Sequence, residues 1–183
     1  MKKISKNLTK NIVYIGKNKY LLILILSITN LWVMHLFFAF KGFLEYCPLK
    51  YTYFTNFCTI IIDVSIVLLV ILCLSKGRLR TSVYFTYILT LIWSFCNVFY
   101  GRFFHQYLTL SAIGQSRGLT DTVVIKSMLY SFLWSDLYYF ISLFVFLFIC
   151  VLFKIKEQHI SWKKIFCILS VPAVSLLTII AVR

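Results

Sequence analysis

The sequence predicts an all-α membrane protein with five transmembrane helices and an interfacial amphipathic helical loop between helices 3 and 4. Hydrophobic residues make up 61% of the 183 residues and charged residues only 13%. This is more apolar surface than a single soluble core can bury. Five apolar runs are long enough to cross a bilayer, and most Lys and Arg residues lie between those runs. The bilayer is therefore expected to be the solvent of this chain.

The apolar runs set the predicted organisation of the chain. A basic arm covers residues 1–19, and a transmembrane domain covers 20–183. The first run, at about 20–40, is long enough to cross a hydrocarbon core of about 30 Å, because an α-helix rises 1.5 Å per residue. The predicted spans are the five runs at about 20–40, 54–75, 82–100, 137–153 and 165–182, with an outer interfacial loop over 101–136.

The distribution of positive charge predicts the orientation in the membrane. With the N-terminus in the cytoplasm, the inner segments carry 13 of the 19 Lys and Arg residues and the outer segments carry six. This bias follows the positive-inside rule and places the C-terminus outside a bacterial cell membrane. The formal net charge of +14 is thus explained by topology, and nucleic acid is not an expected partner.

An amide and an acid inside the first two predicted spans are candidates for a role in the membrane. Asn30 in the first span and Asp63 in the second are expected near the middle of the bilayer. Such residues are costly in lipid and either face other helices or serve an ion or proton pathway. Asp63 has no second intramembrane acid and no basic residue at its depth. A packing role with interhelical hydrogen bonds is therefore the preferred interpretation.

No catalytic pattern occurs in the sequence. The three histidines, His35, His105 and His159, lack neighbouring carboxylates at metal-ligand spacing. There is no phosphate-binding loop, nucleophile elbow or paired carboxylate arrangement. We expect no catalytic residue, no metal site and no cofactor in this chain.

The long loop over 101–136 is amphipathic. Apolar residues recur with helical spacing after Thr120, and an earlier apolar cluster ends at Gly114 and Gly118. Both parts are predicted as helices that lie in the outer headgroup region. The loop could be a connector that covers the bundle, or a platform whose basic residues hold an anionic headgroup phosphate. The early cluster consists of Phe103, Phe104, Tyr107, Leu108 and Leu110, and the candidate headgroup residues are Arg102, His105, Arg117 and Lys126.

The loop and the start of the fourth span resemble the membrane domain of the lipoteichoic acid synthase family. The pattern is an aromatic run after an Arg, a leucine-rich turn that ends in Gln, and then Ser-Phe-x-Trp-x-Asp before an aromatic helix. It covers about a quarter of the chain. The matching residues are Arg102, Phe103, Phe104, Tyr107, Leu108, Gln115, Ser131, Phe132, Trp134, Asp136, Tyr139 and Phe140.

The resemblance implies a function for the chain. The family carries an extracellular sulfatase-like domain of the alkaline phosphatase superfamily, which uses a threonine nucleophile and a divalent metal such as manganese. That domain moves glycerol phosphate from an anionic, phosphatidylglycerol-type lipid. The 183 residues are then expected to anchor the catalytic domain, in cis or in trans, and to position its lipid. A fragment, a truncated gene and a stand-alone relative are all compatible with this interpretation.

Two other functions are compatible with the sequence. The chain could be a stand-alone small membrane protein, such as a transporter or flippase subunit that works through Asp63. It could also be a structural subunit of a membrane assembly.

Overall fold

The described part of the protein is helical. The computed structural model describes residues 2–41, 53–109, 126, 130–154, 156–161 and 170–177, and no strand occurs among them. A short 3-10 helix, Trp134–Asp136, leads directly into the fourth helix. The helices are α1 (Lys2–Lys41), α2 (Tyr53–Leu74), α3 (Leu79–Phe104), α4 (Leu137–Phe153) and a helical segment, α5, over 170–177.

Among the described residues, four helices are long and apolar enough to cross a membrane. Their candidate spans are Lys19–Phe38, Phe57–Leu74, Leu79–Phe104 and Trp134–Phe153. The predicted all-α class is confirmed. The predicted fifth span over 165–182 is described only in α5, so the count of five stays a prediction.

The directions of the helices give the bundle two distinct ends. α1 and α3 run in one direction, because their starts share an apolar cluster and Phe38 meets Gly101 near the opposite ends. α2 and α4 return. We call the end with Tyr20 and Gly77 the arm end, and the end with Phe38, Gly101 and Asp136 the loop end.

A glycine turn reverses the chain between α2 and α3 at the arm end. Gly77 has φ +79°, and its N–H donates to the carbonyl of Leu72 over 2.9 Å. A left-handed residue that bonds back across the last turn ends a helix, and glycine adopts it without a steric cost. A Cβ at Gly77 would lie 3.0 Å from the carbonyl oxygen of Ile160. The turn is therefore packed against the segment that follows α4.

That following segment closes the arm end through backbone hydrogen bonds. The N–H of Leu79 donates to Gln158 over 2.8 Å, and the N–H of Ile160 donates to Gly77 over 2.9 Å. The hydroxyl of Tyr20 donates to the carbonyl of Lys156 over 2.7 Å. Segment 156–161 thus connects α1 with the α2–α3 turn.

Glu157 in the same segment caps α3. Its carboxylate accepts the N–H of Arg80 over 2.9 Å and the hydroxyl of Thr81 over 3.0 Å. The first N–H groups of a helix have no partner within the helix, and an acidic group there also interacts favourably with the helix dipole. A residue about 77 positions away along the chain therefore supplies the cap that α3 lacks locally.

α3 is the central helix, and small or polar residues form a stripe along its buried face. Hydroxyls on this face donate to carbonyls of the same helix, as Ser82 does to Arg78 over 2.7 Å and Thr86 does to Ser82 over 2.8 Å. Small residues whose polar groups are satisfied in this way let two membrane helices pack closely. The buried stripe consists of Ser82, Thr86, Thr90, Ser94, Asn97 and Gly101.

Apolar side chains pack in two clusters around this stripe. The arm-end cluster comes from α1 to α4, and Tyr87 stacks on Phe146 within it at a centroid distance of 4.1 Å. The loop-end cluster also joins these four helices. Their buried members are Tyr20, Ile23, Leu68, Leu72, Val83, Tyr87, Phe146 and Ile149 in the first, and Leu31, Met34, Phe38, Ile60, Val64, Val98 and Tyr139 in the second.

The beginning of the predicted interfacial loop needs a correction. Phe103 and Phe104 belong to α3, which continues beyond the predicted end at residue 100. Residues 107–109 are not helical, so the early cluster does not form a separate interfacial helix. The N–H of His105, at φ +53°, donates to the carbonyl of Gly101 over 2.9 Å and ends α3 at this point. Of the later part, residues 126 and 130 are helical, whereas 110–125 and 127–129 lie outside the described residues.

Candidate functional site

A buried ion pair closes the loop end. Arg102 in the last turn of α3 binds both carboxylate oxygens of Asp136, with Nη1 to Oδ2 at 2.6 Å and Nη2 to Oδ1 as the second contact. The side chain of Arg102 is 7% exposed and that of Asp136 is fully buried. Two parallel charge-assisted hydrogen bonds fix orientation as well as distance. We call this contact the Arg102–Asp136 clasp.

The clasp also orders the chain that enters α4. Nη1 of Arg102 donates to the carbonyl of Ser131 over 2.9 Å. Oδ2 of Asp136 accepts the N–H of Leu133 over 2.9 Å, while the N–H of Asp136 donates back to the carbonyl of Leu133. The clasp therefore sets the conformation of residues 131–136 relative to α3.

A buried amide holds the other side of the loop end. Oδ1 of Asn97 accepts the N–H of Leu108 over 3.0 Å, and Nδ2 donates to Trp93 over 3.0 Å. Tyr107 packs its ring 4.5 Å from that of Phe38. The non-helical residues after α3 are consequently folded back onto the bundle.

Exposed aromatic side chains lie close along the chain to the two residues of the clasp, and we call them the aromatic rim. Tyr130 and Trp134 are 89% and 86% exposed, respectively, whereas the other members are partly covered. Large aromatic side chains are enriched where a membrane protein meets the headgroup layer. The rim consists of Phe103, Phe104, Tyr130, Phe132 and Trp134.

A polar layer crosses the bundle near its middle. Oδ1 of Asn30 accepts the hydroxyl of Ser142 over 2.8 Å and that of Tyr138 over 3.2 Å. Ser142 is in turn 3.1 Å from the hydroxyl of Tyr87. Asn30 therefore links α1 to α4, and Ser142 extends the layer to α3.

Asp63 does not take part in that layer. Its side chain is exposed and lines a cleft between α1, α2 and α3. Among the described residues it forms no ion pair and no hydrogen bond. Interhelical hydrogen bonds of Asp63 are thus absent from the described part of the chain, and a packing role for Asp63 stays a prediction.

The family comparison identifies the chain. The family described as the lipoteichoic acid synthase N-terminal domain matches residues 1–182. The chain belongs to this family. The resemblance seen in the sequence is confirmed, and the protein is a multi-pass membrane domain of a lipoteichoic-acid-synthase-like enzyme. No curated protein and no solved structure matches the chain.

The basic candidates of this lipoteichoic acid synthase N-terminal domain occupy different environments. Arg102 lies in the clasp, whereas His105 and Lys126 are exposed. Arg117 lies outside the described residues, as does Gln115 of the family pattern. Their binding of a lipid headgroup stays a prediction.

Sequence reasoning missed three residues that shape this domain. Asn97 lies inside the third apolar run, Gly101 directly follows it, and Glu157 lies in a short basic segment. A polar amide and a glycine one turn apart near the end of a span indicate a packed face, which is a usable signal. The cap from Glu157 has no local signal, because its partners lie far away along the chain.

Proposed function

We propose that this membrane domain anchors a phosphoglycerol transferase in a bacterial cell membrane and positions an anionic, phosphatidylglycerol-type lipid at the outer leaflet. The observation that carries the proposal is the aromatic rim held by the Arg102–Asp136 clasp. Exposed aromatic rings at headgroup depth can contact a lipid, and the clasp holds the backbone of residues 131–136 that carries part of the rim. The family membership supports the association with a synthase.

In this proposal the exposed basic residues attract the lipid phosphate. Lys126 is exposed, and Arg117 belongs to the same connection between α3 and α4. His105, exposed directly after α3, can donate a hydrogen bond. Arg102 has a positioning role, because its guanidinium is engaged by Asp136.

The chemistry belongs to an extracellular sulfatase-like domain that acts in cis or in trans. The divalent metal implied for it, such as manganese, does not fit the described part of this chain, where no three His, Cys, Asp or Glu side chains group together. The membrane domain supplies binding and orientation.

The orientation is supported by the excess of Lys and Arg in the arm and at the α2–α3 turn. A fifth span over 165–182 would deliver the chain end to the outer side. Single reporter cysteines in a background without native cysteines test this arrangement. Arg78→Cys should resist impermeant thiol reagents in intact cells, and Gln115→Cys should react. The opposite labelling pattern would reject the proposed orientation.

Lipid retention tests the function. Native mass spectrometry of the purified chain should show more bound phosphatidylglycerol than phosphatidylcholine. The double variant Arg117→Gln/Lys126→Gln should lose about fivefold in affinity per charge, because a basic residue near an anionic surface contributes about 1 kcal/mol. The loss should shrink as salt is raised.

The matched control removes two charges from the arm end. Lys76 and Lys156 are exposed there. Lys76→Gln/Lys156→Gln should leave the preference for phosphatidylglycerol unchanged. Equal losses of phosphatidylglycerol affinity in the two double variants would mean that binding depends on net charge and not on the position of the basic residues. That result would contradict the proposal.

A further inference from the structure

A cleft with one acidic side chain opens between α1, α2 and α3. Its volume is about 490 Å³, within the range of roughly 300–1,000 Å³ that is usual for small-molecule sites. Most of its surface is apolar. The lining residues are Leu31, Met34, His35, Asp63, Ile66, Val67, Leu89, Thr90 and Trp93.

The cleft lies in the half of the membrane nearer the loop end. Asp63 is six residues from Phe57, where the span of α2 begins, which corresponds to a depth of about 9 Å. His35 is close to the end of the first span at Phe38. The site is therefore separate from the clasp and lies below the aromatic rim.

The carboxyl of Asp63 lies in the cleft without a partner among the described residues. Its exposed carboxyl faces the cleft at a depth where water is scarce, and the described residues provide it with neither a cation nor a hydrogen-bond donor. An ionised carboxylate is costly in such a place unless an opposite charge accompanies it. His35 is the other titratable residue of the lining. Arg102, on the same α3, is bound to Asp136.

We propose that the cleft binds the ammonium group of a long-chain amine. The ammonium pairs with Asp63, and Trp93 of the same lining supplies an aromatic ring that a cation can contact. Thr90 donates its hydroxyl to the carbonyl of Tyr87 over 2.9 Å, so its oxygen can accept a hydrogen bond from the ligand. The apolar lining holds the alkyl chain. A phosphate would be repelled by the same carboxylate.

Fluorescence quenching by a brominated amine tests this site. The full chain with Trp32→Phe, Trp134→Phe and Trp162→Phe keeps Trp93 as its reporter. In neutral detergent micelles at pH 7, 12-bromododecylamine should quench Trp93 saturably. The neutral probe 12-bromododecanol, of the same length, should quench only in proportion to its micellar concentration.

Asp63→Asn separates charge from shape in this experiment. The substitution should weaken amine binding about tenfold or more, since the ammonium loses its anionic partner, and leave quenching by the alcohol unchanged. Leu89→Phe should narrow the cleft and weaken amine binding as well. Ile88→Phe is the matched control, because Ile88 is exposed on the same helix and does not line the cleft.

Two outcomes would overturn the proposal. The first is equal quenching by the amine and the alcohol in the parent chain. The second is unchanged amine affinity in Asp63→Asn, which would show that the carboxyl contributes nothing to recognition. A size-exclusion profile like that of the parent chain establishes that each variant remains folded.

Discussion

The two ends of the bundle are closed by different kinds of interaction. At the arm end, segment 156–161 is held by backbone hydrogen bonds and by the exposed carboxylate of Glu157. At the loop end, a buried charge pair between Arg102 and Asp136 performs the same task. Exposed contacts exchange with water at little cost, whereas a buried charge without its partner is severely penalised. Loss of a contact should therefore cost little stability at the arm end, whereas loss of either charged partner should cost much at the loop end.

Breaking the clasp should have the largest effect. Asp136→Leu leaves the guanidinium of Arg102 buried without its carboxylate, and we expect a loss of about 3–5 kcal/mol in the free energy of unfolding. Unfolding in mixed micelles, with an increasing fraction of dodecyl sulfate, measures it. The double variant Arg102→Met/Asp136→Leu should recover most of the loss, because apolar residues of similar volume can replace a buried pair. If Asp136→Leu lowers the free energy of unfolding by less than 1 kcal/mol, the two ends do not differ in the way described.

A methyl group added to a glycine probes packing at each end. A Cβ at Gly101 would lie 2.3 Å from Cε1 of the fully buried Phe38, so Gly101→Ala should cost about 1–3 kcal/mol by overpacking. Phe38→Leu in the same chain should relieve part of that cost. Gly77→Ala should cost about 1–2 kcal/mol for a different reason, its positive φ, and no ring substitution should rescue it. Rescue of both glycine variants by Phe38→Leu would contradict this distinction.

Removal of the distant cap should have the smallest effect. Glu157→Ala deprives Arg80 and Thr81 of their acceptor, and a lost helix cap costs about 1 kcal/mol. Hydrogen exchange should accelerate at the first turn of α3 and remain unchanged at Gly101 and His105. Glu157→Gln, which keeps one acceptor oxygen, should lie between the parent and the alanine variant. Faster exchange at the loop end would mean that the two ends are not independent.

The contrast also explains what the sequence could predict. Helix existence follows from the length of each apolar run, which is why the all-α class was predictable. Arg102 and Asp136 were both recognisable in the family pattern, but their pairing depends on how the connection folds back over 34 positions. Hydropathy alone does not report such contacts.

The two intramembrane polar residues show the same limit. Asn30 and Asp63 were equivalent by depth in the sequence, yet Asn30 is buried in the polar layer and Asp63 faces the cleft. Which side of a helix faces a neighbour depends on rotation about the helix axis. Nearly uniform apolar runs such as α2 contain little periodic signal to fix that rotation.

The spacing of the clasp has a consequence for biogenesis. Asp136 follows Arg102 by 34 positions, so at about 5–20 residues per second the ribosome adds it about 2–7 s after the arginine. During that interval the nascent helix carries a guanidinium whose carboxylate does not yet exist. The guanidinium of Arg102 therefore gains its carboxylate partner only after the start of α4 has been synthesised and has packed against the end of α3.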